Sequence, residues 1–196
     1  MFDLVNLIKV GGYLGLFAII FAESGLFFGF FLPGDSLLFT AGFLSSQGYF
    51  SIVPLVIILF VAAIAGDAVG YLFGKKVGPK IFSREESFFF HPSHVDKTAS
   101  FFDKYGSKTI LLARFVPIVR TFAPIMAGVG GMKYRTFAKY NTLGGLFWAV
   151  GLTTLGYIFG QRVPNADKYV LPIVALIIII SLLPPIWEYL KERKKD

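Results

Sequence analysis

The chain has 196 residues, of which 55% are hydrophobic and only 16% charged, and its mean hydropathy is +0.68. Soluble domains carry roughly 25% charged residues, and the deficit here falls in three uncharged runs, at 36–66, 140–161 and 169–187. A transmembrane helix needs about 20 apolar residues. The composition therefore predicts an all-α polytopic membrane protein, and it excludes a soluble enzyme or a nucleic-acid-binding domain despite the net charge of +7.

The first predicted element is a re-entrant helical hairpin over residues 13–44. Its two apolar arms are separated by the sequence Leu-Pro-Gly-Asp, in which Pro33 and Gly34 are strong helix breakers. The second arm is too short to span, and such a broken element is tolerated at membrane depth only where protein buries it or where it lines a cavity. An ordinary tilted helix is the alternative for the first arm, so the sequence leaves open whether residues 10–22 span the membrane.

The remaining elements follow the same alternation of apolar and polar segments. A second re-entrant element is indicated by Pro117 and Pro124, which break an apolar segment that also contains two arginines. In chain order we predict a transmembrane helix at 52–74, a cytoplasmic amphipathic linker at 79–107, the second re-entrant element at 109–131, and transmembrane helices at 140–160 and 169–187.

An internal repeat is visible at an offset of 86 residues. It relates a first half at 13–78 to a second half at 108–164. The matching segments are Ala41-Gly42 with Ala127-Gly128, and Gly70-Tyr-Leu-Phe-Gly74 with Gly156-Tyr-Ile-Phe-Gly160. Because one spanning helix separates the two broken elements, they should enter from opposite faces of the membrane. The predicted fold is thus one polytopic domain over 1–196, an inverted-topology repeat of hairpin plus helix with an extra C-terminal transmembrane helix.

The basic residues predict the orientation of this domain. Of the 19 Lys and Arg residues, 14 lie in the polar segment 75–108, in the segment after the second hairpin, or in the C-terminal tail. Basic residues collect in cytoplasmic loops, so these segments and the C-terminus are expected on the cytoplasmic side of the membrane. The N-terminal sequence MFDLVNLIKV is acidic before it is basic and lacks a small-residue cleavage pattern, so a cleaved signal peptide is not expected.

Five ionisable residues lie within the apolar segments. A charge near the bilayer centre costs roughly 2.5–3.5 kcal/mol, so such residues persist where they pair or serve a substrate path. On one straight helix two acids twelve residues apart would be about 18 Å apart, whereas folding the chain back around residues 29–34 would bring them together. The five are Glu23, Asp35, Asp67, Arg114 and Arg120.

The chemistry of these five residues predicts an anion site. Arg114 and Arg120 are suited to planar, bidentate capture of a phosphate group, and Glu23, Asp35 and Asp67 are candidates for proton exchange or gating. The alternative is structural: ion pairs that hold the hairpins together. Neither a metal ion nor another cofactor is expected, since the chain lacks cysteine and its two histidines lie on the polar linker. No nucleophile, HExxH or P-loop pattern indicates an enzyme.

The charged positions lie in motifs that resemble the DedA family of bacterial membrane proteins. The resemblance covers about residues 20–160 and includes every one of the five charged positions. The motifs are Glu23-Ser-Gly, Leu-Pro-Gly-Asp35, Gly66-Asp67-x-x-Gly-Tyr-x-x-Gly74 and Arg114-Phe-Val-Pro117-x-x-Arg120-x-x-x-Pro124-x-x-Ala-Gly128.

The resemblance implies a function in lipid transport, with undecaprenyl phosphate or phosphatidylethanolamine as substrate and a link to protons. It also implies that Glu23, Asp35, Arg114 and Arg120 match the essential residues of the family. Two other functions stay open: a proton-coupled carrier of a small ion or solute, and a non-transporting assembly protein with a purely structural cluster. The partners expected are a membrane lipid and protons, with no nucleic acid, and an oligomer is compatible with the sequence.

Overall fold

Helices built from the apolar runs make up the fold. The computed structural model describes residues 4–26, 33–81, 106, 108–166, 168–169, 172–177 and 179, and within them there is no β-strand. In chain order the elements are α1 (Leu4–Gly25), α2 (Gly34–Ser46), α3 (Ile52–Ile81), α4 (Thr109–Ala113), α5 (Pro117–Val129), α6 (Tyr134–Gly145), a π-helical turn (Leu146–Val150) and α7 (Gly151–Arg162).

Three helical segments in the described part of the chain are long and apolar enough to cross a membrane. They are Ile8–Gly25, Ile52–Val77 and Tyr134–Arg162, the last comprising α6, the π-helical turn and α7 without interruption. The predicted spans 52–74 and 140–160 fall inside the second and third of these. The third predicted span, 169–187, lies mostly outside the described residues, although 172–177 are helical.

The first predicted hairpin corresponds to α1 and α2. Since α1 alone is long enough to cross a membrane, the tilted-helix alternative for the first arm agrees with its length, and the re-entrant path stays a prediction. A kink at Gly12, where φ is +54°, divides α1. Glycine has no Cβ and adopts this left-handed backbone without strain.

The second predicted re-entrant element is a broken helix. Here α4 ends at Ala113, residues 114–116 are not helical, and α5 begins at Pro117. Pro117 is favourable at this first helical position because its missing N–H would have no helical partner there. The prediction of a second break at Pro124 is wrong, because α5 continues through Pro124 to Val129. Proline in a membrane helix is tolerated where neighbouring helices satisfy the freed backbone groups.

Each short helix after a break packs on the long helix of the other half of the chain: α2 lies on α7, and α5 lies on α3. Glycines permit both approaches. A Cβ at Gly42 would collide with the backbone of Thr153, and a Cβ at Gly128 would collide with the backbone of Tyr71. Small residues at membrane helix interfaces allow such close contact. The two glycines at these contacts, Gly42 and Gly128, are 86 residues apart, which is the offset of the predicted repeat. The inverted orientation of the two halves stays a prediction.

Most of the predicted linker 79–107 lies outside the described residues, including both histidines. Its first three residues belong to the end of α3. The buried core consists of two groups of apolar side chains. One joins α1, α2, α3 and α7 through residues such as Leu16, Leu38 and Leu59, and the other surrounds Tyr71 and Phe137.

Candidate functional site

All five charged residues of the apolar segments meet in one buried cluster. Each comes from a different place in the fold: Glu23 from the end of α1, Asp35 from the first turn of α2, Asp67 from α3, Arg114 from the break after α4, and Arg120 from the first turn of α5. The cluster therefore forms only when both broken elements and the long helix α3 pack together.

Arg120 bridges the two acids of the first half. Its Nη2 donates a hydrogen bond to Glu23 Oε1, and its Nη1 donates to Asp35 Oδ1 at 2.8 Å. The side chains of Arg120 and Glu23 are 3% and 0% exposed, whereas that of Asp35 is 21% exposed. Glu23 and Asp35 thus share one guanidinium group, so the two acids lie close together as the sequence predicts.

Arg114 is held by a separate set of partners. Its Nη2 donates to Asp67 Oδ2 and to Asn141 Oδ1, and it lies 3.4 Å from the carbonyl oxygen of Ala63. Both charged side chains of this pair are 1% exposed. Asp67 therefore faces an arginine rather than an open polar cavity. Arg114 thus pairs with Asp67, and Glu23 pairs with Arg120.

Glycines make room for the charged side chains. Gly34, the first residue of α2, lies directly against the carboxylate of Glu23, and any Cβ there would overlap it. Gly144 of α6 lies against Arg114, whose Cδ would be 2.7 Å from an added Cβ. Pro33 immediately precedes α2. The predicted break at Pro33 and Gly34 therefore stands at the position where α2 begins, next to Glu23.

Two uncharged residues of the cluster were missed by the sequence reasoning. Asn141 accepts from Arg114 and donates through Nδ2 to the carbonyl oxygen of Ile64 at 3.1 Å. Trp148 lies in the π-helical turn, donates through Nε1 to Asp35 Oδ1 at 2.6 Å, and places its ring 4.2 Å from Cζ of Arg120. A seven-residue spacing puts both on one helix face, and Asn141 is a strongly polar residue within the uncharged run 140–161. The polar Asn141 in this run and its seven-residue spacing from Trp148 were the sequence signal that could have identified the two residues.

The cluster holds three carboxyl groups against two guanidinium groups, so it carries a formal excess of one negative charge when all are ionised. Hydrogen-bonding capacity is also left over. Within the described part of the chain, Glu23 Oε2, Asp67 Oδ1, Nε and Nη1 of Arg114, and Nε of Arg120 have no hydrogen-bond partner. Buried charges are stable only when paired and hydrogen-bonded. The cluster is therefore a set of buried ionisable groups in which neither the charge nor the hydrogen bonding is fully balanced.

Comparison with known proteins places these helices in a family. The family model described as VTT domain matches residues 32–158. Protein DedA of Escherichia coli strain K12 is 47% identical over 194 residues, covering 98% of this chain and 88% of that protein. Inner membrane protein YqjA of the same strain is 36% identical, covering 84% of this chain and 79% of that protein.

An uncharacterized membrane protein of Mycobacterium leprae is 43% identical over 166 residues, which cover 85% of this chain and 74% of that protein. No solved structure matches the chain. The matched region contains four of the five clustered charges, and the alignment with Protein DedA extends over nearly the whole chain. The resemblance drawn from the motifs is confirmed: this chain belongs to the VTT-domain family of DedA membrane proteins.

Proposed function

We propose that this protein moves a lipid bearing a phosphate group, undecaprenyl phosphate or phosphatidylethanolamine, across the cytoplasmic membrane. The observation that carries the proposal is Arg120, a buried arginine at the start of a helix that follows a break, paired with one fully buried and one partly exposed carboxylate. Guanidinium groups bind phosphate through paired N–H donors. The substrate class comes from the family resemblance, and the buried arginines support it.

In the proposed mechanism the carboxylates occupy the arginines while no substrate is bound. Protonation of a carboxyl group removes its charge and weakens its hold on the guanidinium, which is then free to bind the headgroup phosphate. The lipid tails remain in the hydrocarbon. Movement of the two halves of the chain about the cluster would expose the site alternately to the two sides of the membrane.

The decisive experiment is transbilayer movement of the two lipids in proteoliposomes. Wild type is compared with Arg114→Ala and with Arg135→Ala, a control arginine that is exposed at the start of α6. We expect wild type and Arg135→Ala to move one of the lipids and Arg114→Ala to move neither. Thermal unfolding in detergent establishes that each variant is folded. If folded wild type moves neither lipid, the proposal is contradicted.

The excess carboxyl group favours a second candidate function, a proton-coupled carrier of a small ion or solute. Three acids against two arginines leave one acid available to carry a proton. This candidate predicts a substrate-driven change of internal pH in vesicles made from a neutral lipid alone. If the internal pH stays constant for every ion supplied, this second candidate function is contradicted.

The remaining alternative is a non-transporting assembly protein in which the cluster is structural. Exchange of the charges of one pair, Glu23→Arg with Arg120→Glu, tests it. A structural ion pair keeps its function when the two charges are exchanged, whereas a phosphate site loses the arginine from the position that binds the headgroup.

A further inference from the structure

One oxygen atom of the cluster receives two hydrogen bonds from groups that can only donate. Asp35 Oδ1 accepts from Nη1 of Arg120 at 2.8 Å and from Nε1 of Trp148 at 2.6 Å. The indole N–H and the guanidinium have no acceptor capacity. Both N–H groups donate to the same position, so this position must be occupied by an anionic or strongly polar oxygen.

Asp35 differs from the other two acids in its accessibility. Its side chain is 21% exposed, while those of Glu23 and Asp67 are 0% and 1% exposed. It stands in the first turn of α2, one residue from the start of the helix. Asp35 is therefore the acid of the cluster that an incoming anion can reach, because the carboxylates of Glu23 and Asp67 are covered by protein.

The remaining contacts would keep Arg120 in place after Asp35 leaves. Nη2 stays bound to Glu23, and the face of the Trp148 ring covers the guanidinium at 4.2 Å. A cation over an aromatic ring is attracted to its face. The π-helical turn Leu146–Val150 carries the indole to this position, and π-helical turns within α-helices occur frequently at functional sites.

We propose that Trp148 Nε1–H and Arg120 Nη1–H form an anion-binding site whose resident occupant is the carboxylate of Asp35, and that a phosphate oxygen displaces Asp35 from both donors. Trp148 is then a direct ligand of the substrate phosphate, and Asp35 is its intramolecular competitor. This inference rests on the proposed function, in which Arg120 binds the headgroup phosphate. The phosphate group comes from a lipid headgroup or from free phosphate.

The test is phosphate binding by purified full-length protein in detergent. The chain has two tryptophans, so Trp187→Phe leaves Trp148 as the only source of tryptophan emission. The probes are dodecyl phosphate and inorganic phosphate, each titrated against emission and, in parallel, by calorimetry. We expect a saturable change of Trp148 emission, because binding replaces the oxygen that accepts the hydrogen bond from its indole N–H.

Two substitutions in the Trp187→Phe background separate the roles. In Asp35→Asn the competitor loses its charge, so phosphate should bind about tenfold more tightly, since hydrogen bonds to charged groups are the stronger class. In Trp148→Phe, which keeps the ring but loses the N–H, calorimetry should show binding that is about tenfold weaker. Misfolding does not produce a gain of affinity, so the result for Asp35→Asn is informative even if Trp148→Phe is unstable.

The outcomes distinguish this inference from the proposed function. The inference is overturned if Asp35→Asn binds phosphate no more tightly than its background, or if folded Trp148→Phe retains full affinity. Unimpaired lipid movement by Trp148→Phe overturns it too, yet leaves lipid transport standing. Absence of lipid movement by wild type, together with tighter phosphate binding by Asp35→Asn, supports the anion site and rejects the lipid. Saturation by dodecyl phosphate but not by inorganic phosphate identifies the lipid as the source.

Discussion

Arg114 depends on two uncharged neighbours as well as on its carboxylate partner. Asn141 accepts one of its hydrogen bonds, and Gly144, one turn further along α6, leaves space for its side chain. Asn141 also donates to the backbone of α3 at Ile64. A single amide therefore joins α6, α3 and the arginine, and a buried guanidinium that loses such a partner keeps its full desolvation cost.

We expect Asn141→Ala to lower the stability of the protein by about 1–3 kcal/mol, because a buried acceptor for Arg114 is removed and the Ile64 carbonyl loses its donor. The measurement is the midpoint of thermal unfolding in detergent. Thr142→Ala, at the adjacent exposed position, is the matched control and should leave the midpoint unchanged. Equal midpoints for both variants would show that Asn141 does not support the arginine.

At the scale of helices, two interfaces depend on glycines that allow the backbones to approach closely. The approach of α2 to α7 uses Gly42, Gly156 and Gly160, and the approach of α5 to α3 uses Gly74 and Gly128. Lipid tails are as apolar as leucine, so membrane helices associate through close van der Waals contact. These two interfaces hold the start of α2 and the start of α5, and therefore Asp35 and Arg120, within hydrogen-bonding distance.

We expect Gly42→Ala to destabilise the protein by about 1–3 kcal/mol, as overpacking does in other tight interfaces. An added Cβ would lie 3.1 Å from the backbone nitrogen of Tyr157 and still closer to Thr153. Gly151→Ala is the control, since nothing lies within 4 Å of its Cβ position. Alanine there should be neutral or stabilising by up to about 1 kcal/mol. Opposite shifts of the unfolding midpoint are expected, and the same shift for both would contradict this description of the interface.

At the scale of the whole molecule, the outer surface agrees with a protein that lies in lipid. Large apolar side chains are exposed on the spanning segments, among them Leu14, Ile57, Phe147 and Leu155. The charged cluster is buried inside. Two of the relatives are named as membrane proteins, one of them as an inner membrane protein. An apolar surface favours membrane insertion equally in both orientations, so the predicted orientation depends on the basic residues alone.

The predicted orientation can be tested with single cysteines, because the natural chain contains none. Gln47 lies exposed in the turn after α2, and Lys133 lies exposed just before α6. We expect Gln47→Cys to react with a membrane-impermeant maleimide in right-side-out spheroplasts, and Lys133→Cys to react only after the membrane is permeabilised. The cysteine-free wild type is the labelling control. The reverse pattern would place the C-terminus outside.

Part of the site was predictable and part was not, for a physical reason. The charged candidates were predictable because a charged side chain in lipid costs free energy unless it has a partner. The break before α2 was predictable because Pro33 and Gly34 are helix breakers. The pairing of Asp67 with Arg114 did not follow from any local signal, since it joins positions 47 residues apart on separate helices. The break predicted at Pro124 is wrong because the helix-breaking tendency of proline, taken from local sequence, does not include the neighbouring helix that accommodates it.

By itself the sequence determined that this protein lies in a membrane, that its helices are apolar, that its chain is interrupted by proline and glycine, and that five charges require partners. These properties are local, because the transfer free energy and backbone conformation of each segment depend mainly on its own residues. Only the tertiary structure decided which acid meets which arginine, that Asn141 and Trp148 complete the cluster, and that Asp35 alone among its three acids is partly open. Those features arise where α2 packs on α7 and α5 packs on α3, and such contacts between distant segments exist only in the folded chain.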